Sequence, residues 1–141
     1  MDMRADILVV DDDALIREAL ALVLEMAGHA VAQAADGLAA LESMTARPFD
    51  LVITDLRMPR LDGYGLISRL RPRKPRIPIV VLTGEPPGRE MRALAGGNGD
   101  RIAVLSKPVS EADLLRAVDL ALGRCRPAGT AGRLGEGEPR R

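Results

Sequence analysis

The sequence predicts an α/β domain built as a doubly wound parallel sheet, in which five strands alternate with five helices. Short apolar runs and helical patterns alternate five times along the chain. Four of the five runs are almost continuously apolar, as expected of parallel strands that are buried on both faces. The length of 141 residues suits one domain with a single core. Because right-handed crossovers join parallel strands, the helices are expected to cover both faces of the sheet.

The first half of the chain contains two strands and two helices. The run at 7–10 is the first strand, and Gly28 lies where a left-handed C-cap would end the helix that follows. The apolar residues of this helix that recur at helical spacing are Leu15, Ile16, Ala19, Leu20, Val23 and Ala27. The small-residue run at 30–34 predicts an edge strand. Asp36 and Gly37 begin a second helix, whose apolar side contains Leu38, Leu41 and Met44.

The second half of the chain completes the alternation. The runs at 51–54, 79–82 and 102–106 are the third, fourth and fifth strands. The prolines and glycines of 85–99 leave room for only a short fourth helix of low stability. The last helix is capped by Ser110, and its predicted inward-facing residues are Leu114, Leu115, Val118 and Leu122.

Composition excludes several classes of function. Phe49 and Tyr64 are the only aromatic residues, so stacking on nucleic-acid bases has almost no side chains available. The formal net charge is zero, which argues against DNA binding by this chain alone. Cys125 cannot form an internal disulfide, and there is neither a signal peptide nor a long apolar span. We therefore expect a soluble cytoplasmic protein with no membrane contact, and a disordered tail at 124–141.

Reactive polar residues follow four of the five predicted strands. Asp11, Asp12 and Asp13 follow the first, Asp55 the third, Thr83 the fourth, and Lys107 with Pro108 the fifth. The carboxyl ends of parallel strands meet at one edge, where ligands of open α/β sheets bind. Carboxylates suit a hard divalent cation, and a lysine with a hydroxyl suits a phosphoryl group. The pattern predicts a magnesium-dependent aspartyl-phosphate centre.

Each residue alone has a plainer interpretation. An aspartate after a strand is usually a helix N-cap, Thr83 would serve as a cap, and a single lysine is usually a solvated charge. Three consecutive aspartates, however, exceed what a cap needs, and their repulsion favours a bound cation. Asp55 can attack phosphorus without losing a proton, so it needs charge neutralisation rather than a general base. Pro108 keeps Lys107 out of helical geometry and extended toward the crevice.

The motif set resembles the receiver domain of bacterial two-component response regulators, the CheY-like superfamily. The matching segments are residues 7–13, 55–63, 80–84 and 106–108. The resemblance covers a receiver domain at 5–123 and implies the flavodoxin-like strand order 2-1-3-4-5.

This resemblance also implies a role for each site residue. Asp55 would be the phosphoacceptor, and Thr83 and Lys107 would bind the phosphoryl oxygens. Mg²⁺ would be held by Asp11, Asp12, Asp55 and the backbone carbonyl of Arg57, with Asp12 the more direct of the acidic pair. The donor would be a phosphohistidine on a sensor histidine kinase or a histidine phosphotransfer protein. Slow self-hydrolysis would be tuned by Arg57 and Glu85, and a phosphorylation-linked homodimer is a further implied partner.

The chain departs from the family pattern at two places. Val104 stands where family members carry the Tyr or Phe that reports phosphorylation, and glycines interrupt the fourth helix. The phosphorylation chemistry is expected to survive both changes. Ordering of 85–99 when Thr83 moves toward the phosphate is our hypothesis for a substitute relay.

Several functions fit these residues. The leading one is a stand-alone receiver, a signalling phosphoacceptor rather than an enzyme. The alternatives are a receiver detached from a hybrid histidine kinase, an unphosphorylated binding module, and a phosphatase of the haloacid-dehalogenase class. The phosphatase would use Asp11 as nucleophile and Asp13 two residues later.

Overall fold

The computed structural model describes residues 4–84 and 101–123. Five parallel strands form one sheet in the order β2-β1-β3-β4-β5, which confirms both the predicted fold class and the order implied by the resemblance. The strands are β1 (Asp6–Val10), β2 (Ala30–Ala34), β3 (Leu51–Asp55), β4 (Ile79–Thr83) and β5 (Ile102–Ser106). The small-residue strand β2 lies at an edge, as predicted.

Short polar residues start the four described helices. These are α1 (Ala14–Met26), α2 (Gly37–Ala46), α3 (Gly63–Leu70) and α4 (Glu111–Ala121). Their N-caps are Asp13, Asp36, Asp62 and Ser110, and each cap side chain accepts a hydrogen bond from a backbone N–H of the first turn. Gly28 follows α1 with a φ of +102°, the left-handed conformation expected of a residue after a helix end.

Two layers of apolar side chains cover the two faces of the sheet. On one face, Leu20 and Leu24 of α1 pack with Leu114 and Val118 of α4. On the other face, α2 and α3 contribute buried side chains, among them Met44 and Leu66. β1, β3 and β4 lie between the layers and are buried, whereas edge strand β5 is only partly buried. The nearly continuous apolar runs therefore reflect burial on both faces.

The apolar residues that recur along α1 do not all face the sheet. The buried residues of this helix are Leu20, Ala21 and Leu24, whereas Leu15 is 80% exposed, and Ile16, Ala19 and Ala27 are exposed as well. The helix is apolar on more than one side, so periodicity alone could not select the face; docking on the sheet did. Leu115 of α4 and Leu122 after it are partly buried and pack against the apolar layer of their face, in agreement with the predicted inward side of the last helix, and Leu41 of α2 packs in the same way on the other face. Leu38 of α2 is partly buried.

Three of the predictions fall on residues outside the described ranges. They are the weak fourth helix in 85–99 with the relay assigned to it, the role of Glu85 in self-hydrolysis, and the disordered tail at 124–141. Within the described residues, every helix is too short or too polar to cross a lipid bilayer.

Truncation of one buried and one exposed leucine of α1 tests which side of the helix packs on the sheet. Leu24 is fully buried, so Leu24→Ala should lower the free energy of unfolding by about 2–5 kcal/mol. Leu22 lies on the same helix but is 57% exposed. Leu22→Ala should therefore change the free energy of unfolding by no more than about 0.5 kcal/mol. Urea unfolding measures both values, and equal losses would contradict the assignment.

Candidate phosphoacceptor and metal site

The register of the sheet brings the predicted site residues to one edge. Val10 of β1 pairs with Thr54 of β3, so Asp11 and Asp55 follow at neighbouring positions. Asp55 in turn pairs with Leu82 of β4, which places Thr83 one residue further along. Thr83 pairs with Ser106 of β5, and Lys107 comes next. The strand ends therefore converge as predicted from their sequence order.

The side chains of this edge lie within interaction distance of one another. The Nζ atom of Lys107 is 3.0 Å from Oδ2 of Asp55 and 3.6 Å from Oδ2 of Asp11. Asp11, Asp12 and Asp55 each offer a carboxylate oxygen, and these three oxygens lie within 4.8 Å of one another. Asp55 is thus close to both the acidic cluster and the lysine, as the interpretation of the site requires.

Asp11 is the most buried carboxylate of the cluster, at 1% exposure. Its Oδ1 accepts a hydrogen bond from the backbone N–H of Asp13 at 2.9 Å, but its buried Oδ2 has no hydrogen-bond partner. Burial raises the pKa of Asp11, and repulsion from Asp55 and Asp12 adds to that effect, against the opposing hydrogen bond from Asp13 and the attraction of Lys107. A buried carboxylate oxygen without a donor, beside two further carboxylates, fits a divalent cation.

The other two aspartates of the first cluster have different surroundings. Asp12 is exposed at the rim and belongs to the group of three potential ligands. Asp13 instead caps α1, since its Oδ1 accepts hydrogen bonds from the N–H groups of Leu15 and Ile16. Of these three aspartates, only Asp13 is therefore the helix cap that the plainer interpretation describes.

Asp55 is oriented by backbone groups as well as by Lys107. Its side chain is 12% exposed, and its Oδ1 accepts a hydrogen bond from the N–H of Leu56 at 2.8 Å. The hydroxyl of Thr54 donates to the Asp55 carbonyl oxygen at 2.8 Å. Gly63 packs so close to that oxygen that a Cβ there would lie 2.6 Å from it. These contacts hold the end of β3 firmly and leave the carboxylate at the crevice.

A backbone hydrogen bond and the interactions of its ammonium with two carboxylates fix the position of Lys107. Its N–H donates to the carbonyl oxygen of Thr83 at 2.7 Å, and the bond to Pro108 is cis. Burial by itself would lower the pKa of Lys107, but the hydrogen bond to Asp55 and the attraction of Asp55 and Asp11 raise it above the ordinary value. The ammonium therefore stays protonated and can neutralise an anion next to Asp55.

Three further residues bear on the predicted site. Thr83 is buried at the end of β4. Val104 is partly buried and packs against the apolar layer that contains Leu66 and Val81, so a small side chain fills the position where the family has an aromatic ring. Arg57 is exposed in the loop after β3, and the metal-binding role of its carbonyl stays a prediction.

Arg17 contributes to the site although the sequence did not single it out. Its Nη1 donates to the carbonyl oxygen of Asp11 at 2.7 Å, and its Nε donates to Oε1 of Gln33 at 3.1 Å. The arginine thus fixes the peptide that joins Asp11 to Asp12. The sequence did contain a signal for this role, because Arg17 lies in the first turn of α1, after the acidic N-cap Asp13. The helix dipole disfavours a positive charge at that end of a helix.

Comparisons with known proteins agree with this geometry. The family model described as the response regulator receiver domain matches residues 7–119. The chain is 31% identical over 128 residues to the transcriptional regulatory protein FixJ of Bradyrhizobium diazoefficiens, covering 91% of this chain and 62% of FixJ. Other curated relatives are longer still, and the chain covers 28% to 55% of their lengths.

Solved structures show the same likeness. A response regulator receiver domain protein from Clostridium thermocellum is 32% identical, with a TM-score of 0.75 over 85% of this chain and 95% of that one. The receiver domain of a signal transduction histidine kinase from Syntrophus aciditrophicus is 30% identical, with a TM-score of 0.73 over 84% and 90% of the two chains.

The residues of the edge, the strand order and the match over 7–119 all lead to one family. Receiver domains generally use Mg²⁺ at an acidic pocket, and the cluster of Asp11, Asp12 and Asp55 has the composition of such a pocket. The chain belongs to the response regulator receiver domain family.

Proposed function

We propose that this receiver accepts a phosphoryl group on Asp55, in the presence of Mg²⁺, from a phosphohistidine of a sensor histidine kinase or a histidine phosphotransfer protein. The observation that carries the proposal is the contact of the Asp55 carboxylate with Lys107 at 3.0 Å, beside the buried Oδ2 of Asp11, which accepts no hydrogen bond and lies 3.6 Å from the same ammonium. The protein then signals through protein contacts that depend on phosphorylation. It acts in the cytoplasm as a phosphoacceptor, not as a turnover enzyme.

The chemistry is a transfer between two nucleophiles. A carboxylate oxygen of Asp55 forms the bond to phosphorus, the phosphorus–nitrogen bond of the donor breaks, and the imidazole nitrogen keeps the electron pair and is protonated. Lys107 neutralises the developing charge, and the Thr83 hydroxyl binds a phosphoryl oxygen. Mg²⁺, held by Asp11, Asp12, Asp55 and the Arg57 carbonyl, would supply further charge neutralisation. Arg57 and Glu85 would tune the later hydrolysis of the acyl phosphate.

The protein context is a separate question from this chemistry. A stand-alone receiver is the leading proposal. The alternative, a receiver that belongs to a hybrid kinase, is favoured by the similarity to the Syntrophus aciditrophicus kinase receiver. Phosphotransfer profiling against candidate histidine kinases tests this: preferential transfer from a hybrid kinase would support the alternative, and preferential transfer from a kinase without a receiver would support the stand-alone protein.

An apolar surface beside the site suits the phosphohistidine donor. Leu15 is 80% exposed and follows the Asp13 cap directly along α1. Next to it, Ile16 and Val23 of α1 and Val109 and Leu114 from the other side line a cleft of about 540 Å³ that also reaches Lys107. A donor imidazole must reach Asp55, so its protein necessarily covers the rim of the site. We therefore assign this surface to the donor.

The burial of Asp11 and the hydrogen bonds accepted by Asp13 disfavour the phosphatase alternative. That reaction would need Asp11 as an accessible nucleophile and Asp13 as a free acid. Asp11 is almost fully buried, and the Asp13 carboxylate is engaged as the cap of α1.

Phosphorylation of Asp55 is the central prediction of the proposed function. With acetyl phosphate and Mg²⁺, the intact mass should increase by one phosphoryl group, and Asp55→Asn should abolish the adduct because the nucleophile is gone. A wild type without an adduct would support the unphosphorylated binding module. An adduct that survives in Asp55→Asn but is lost in Asp11→Asn would support the phosphatase.

Replacement of the buried carboxylate tests the metal site. A raised pKa in the folded state means that Asp11 weakens folding as pH rises from its unfolded pKa of about 3.8 toward neutrality. In the metal-free protein at neutral pH, Asp11→Asn should therefore raise the melting temperature; the amide oxygen can still accept from Asp13. Mg²⁺ at ten times its dissociation constant should stabilise the wild type by about 1.4 kcal/mol and the variant much less. Equal stabilisation of the two proteins by Mg²⁺ would exclude Asp11 from the metal site.

Truncation of Leu15 tests the donor surface. Leu15→Ala should slow phosphotransfer from a phosphohistidine protein about five-fold, since exposed apolar residues at the centre of an interface contribute about 1 kcal/mol. The rate with acetyl phosphate should stay unchanged, because that small donor needs no docking surface. Leu120→Ala is the matched control, as Leu120 is 57% exposed on α4 and outside the cleft. Equal rates for the two variants with the protein donor would refute the assignment.

A further inference from the structure

The turn between β2 and α2 lies against the loop that follows Asp55. The backbone N–H of Gly37 donates to the carbonyl oxygen of Leu61 at 3.1 Å. The Nε atom of Arg60 is 3.3 Å from Oδ2 of Asp36. The loop at 56–62 is therefore attached to a part of the molecule that carries none of the predicted site residues.

The approach at Gly37 is too close for any side chain. A Cβ at this position would lie 2.6 Å from the carbonyl oxygen of Leu61 and 2.9 Å from its Cβ. Because the nearest atom belongs to the backbone, the overlap can be relieved only if the loop or the helix moves. Gly37 is the first residue of α2, where alanine would otherwise be the better helix former.

Asp36 connects the same loop to the helix through its two carboxylate oxygens. Oδ1 accepts a hydrogen bond from the N–H of Ala39 at 2.8 Å and so caps α2. Oδ2 is the atom that faces Arg60. Asp36 itself is buried, whereas Arg60 is largely exposed, so the ion pair is a weaker attachment than the backbone contact at Gly37.

The other end of the loop orients the phosphoacceptor. The N–H of Leu56 donates to Oδ1 of Asp55 at 2.8 Å, and the carbonyl oxygen of Leu56 accepts from the N–H of Gly63 at 2.9 Å. The loop is thus closed on itself beside Asp55. A shift at Leu61 would consequently reach the hydrogen bond that sets the direction of the Asp55 carboxylate.

We propose that the turn of Asp36 and Gly37 is a positioning element for Asp55, which acts by holding the 56–62 loop. The inference rests on the proposed function of Asp55 as phosphoacceptor. Neither residue of the turn contacts the reacting atoms, so both act through the loop. Any change at the start of α2 should then alter metal affinity and phosphorylation together.

Two glycine-to-alanine variants separate positioning from general stability. Gly37→Ala should raise the Mg²⁺ dissociation constant and lower the rate of phosphorylation by acetyl phosphate, each about ten-fold, because a small misplacement of a reacting group is costly. Gly28→Ala is the matched control. The added Cβ would meet nothing within 4 Å, and the substitution is unfavourable only because residue 28 has a φ of +102°. It should lower the melting temperature while leaving both site measurements unchanged. Mg²⁺ affinity is measured by chemical-shift titration.

A milder variant supports the same test. Asp36→Asn keeps a good N-cap but loses the charge that attracts Arg60, so it should weaken Mg²⁺ binding roughly two-fold. Hydrogen exchange of the backbone amides at 56–63 should become faster in both Gly37→Ala and Asp36→Asn, but not in Gly28→Ala. If circular dichroism shows that Gly37→Ala does not fold, Asp36→Asn decides the question by itself.

The outcomes distinguish this inference from the proposed function. Wild-type Mg²⁺ affinity, phosphorylation rate and loop exchange in Gly37→Ala and Asp36→Asn would overturn the positioning role. A wild type that neither binds Mg²⁺ nor forms an adduct at Asp55 would instead overturn the proposed function.

Discussion

The parallel register of the central strands is the constraint on which the rest of the structure depends. Asp11, Asp55, Thr83 and Lys107 are far apart in sequence, and only the pairing of β1, β3, β4 and β5 brings them to one edge. A slip of one residue in any strand would turn its side chains to the opposite face of the sheet. The two apolar layers prevent such a slip, since each selects alternate residues of the same strands.

The edge that results is electrostatically unfavourable in the absence of a cation. Asp11 is buried beside Asp55 and Asp12, and Lys107 together with the Asp13 N–H compensates only part of the cost. A protein under no functional demand would replace such a cluster with apolar or neutral residues. The arrangement is better explained as a site that becomes favourable when a divalent ion and a phosphoryl group bind.

The exposed apolar side of α1 has a functional reason under the proposed phosphotransfer. Leu15 and Ile16 share a helical period with Leu20, which is buried. The structure places them beside the acidic edge and exposed, where a protein donor would cover them. Periodicity reports that a helix has an apolar surface, but not whether that surface faces its own sheet or a partner.

The sequence by itself determined the fold class and the residues that meet at the site. Continuous apolar runs indicated the buried strands, short polar residues such as Asp36 and Ser110 indicated where helices begin, and residues at strand ends predicted the chemistry. Only the tertiary structure decided which side of α1 is buried, that Asp11 and Asp12 lie beside Asp55, and that Gly37 lies against the loop after Asp55. The physical reason is the separation along the sequence between the residues that interact. Helix caps and strand runs depend on neighbours along the chain, whereas these assignments depend on contacts between elements that are distant in sequence.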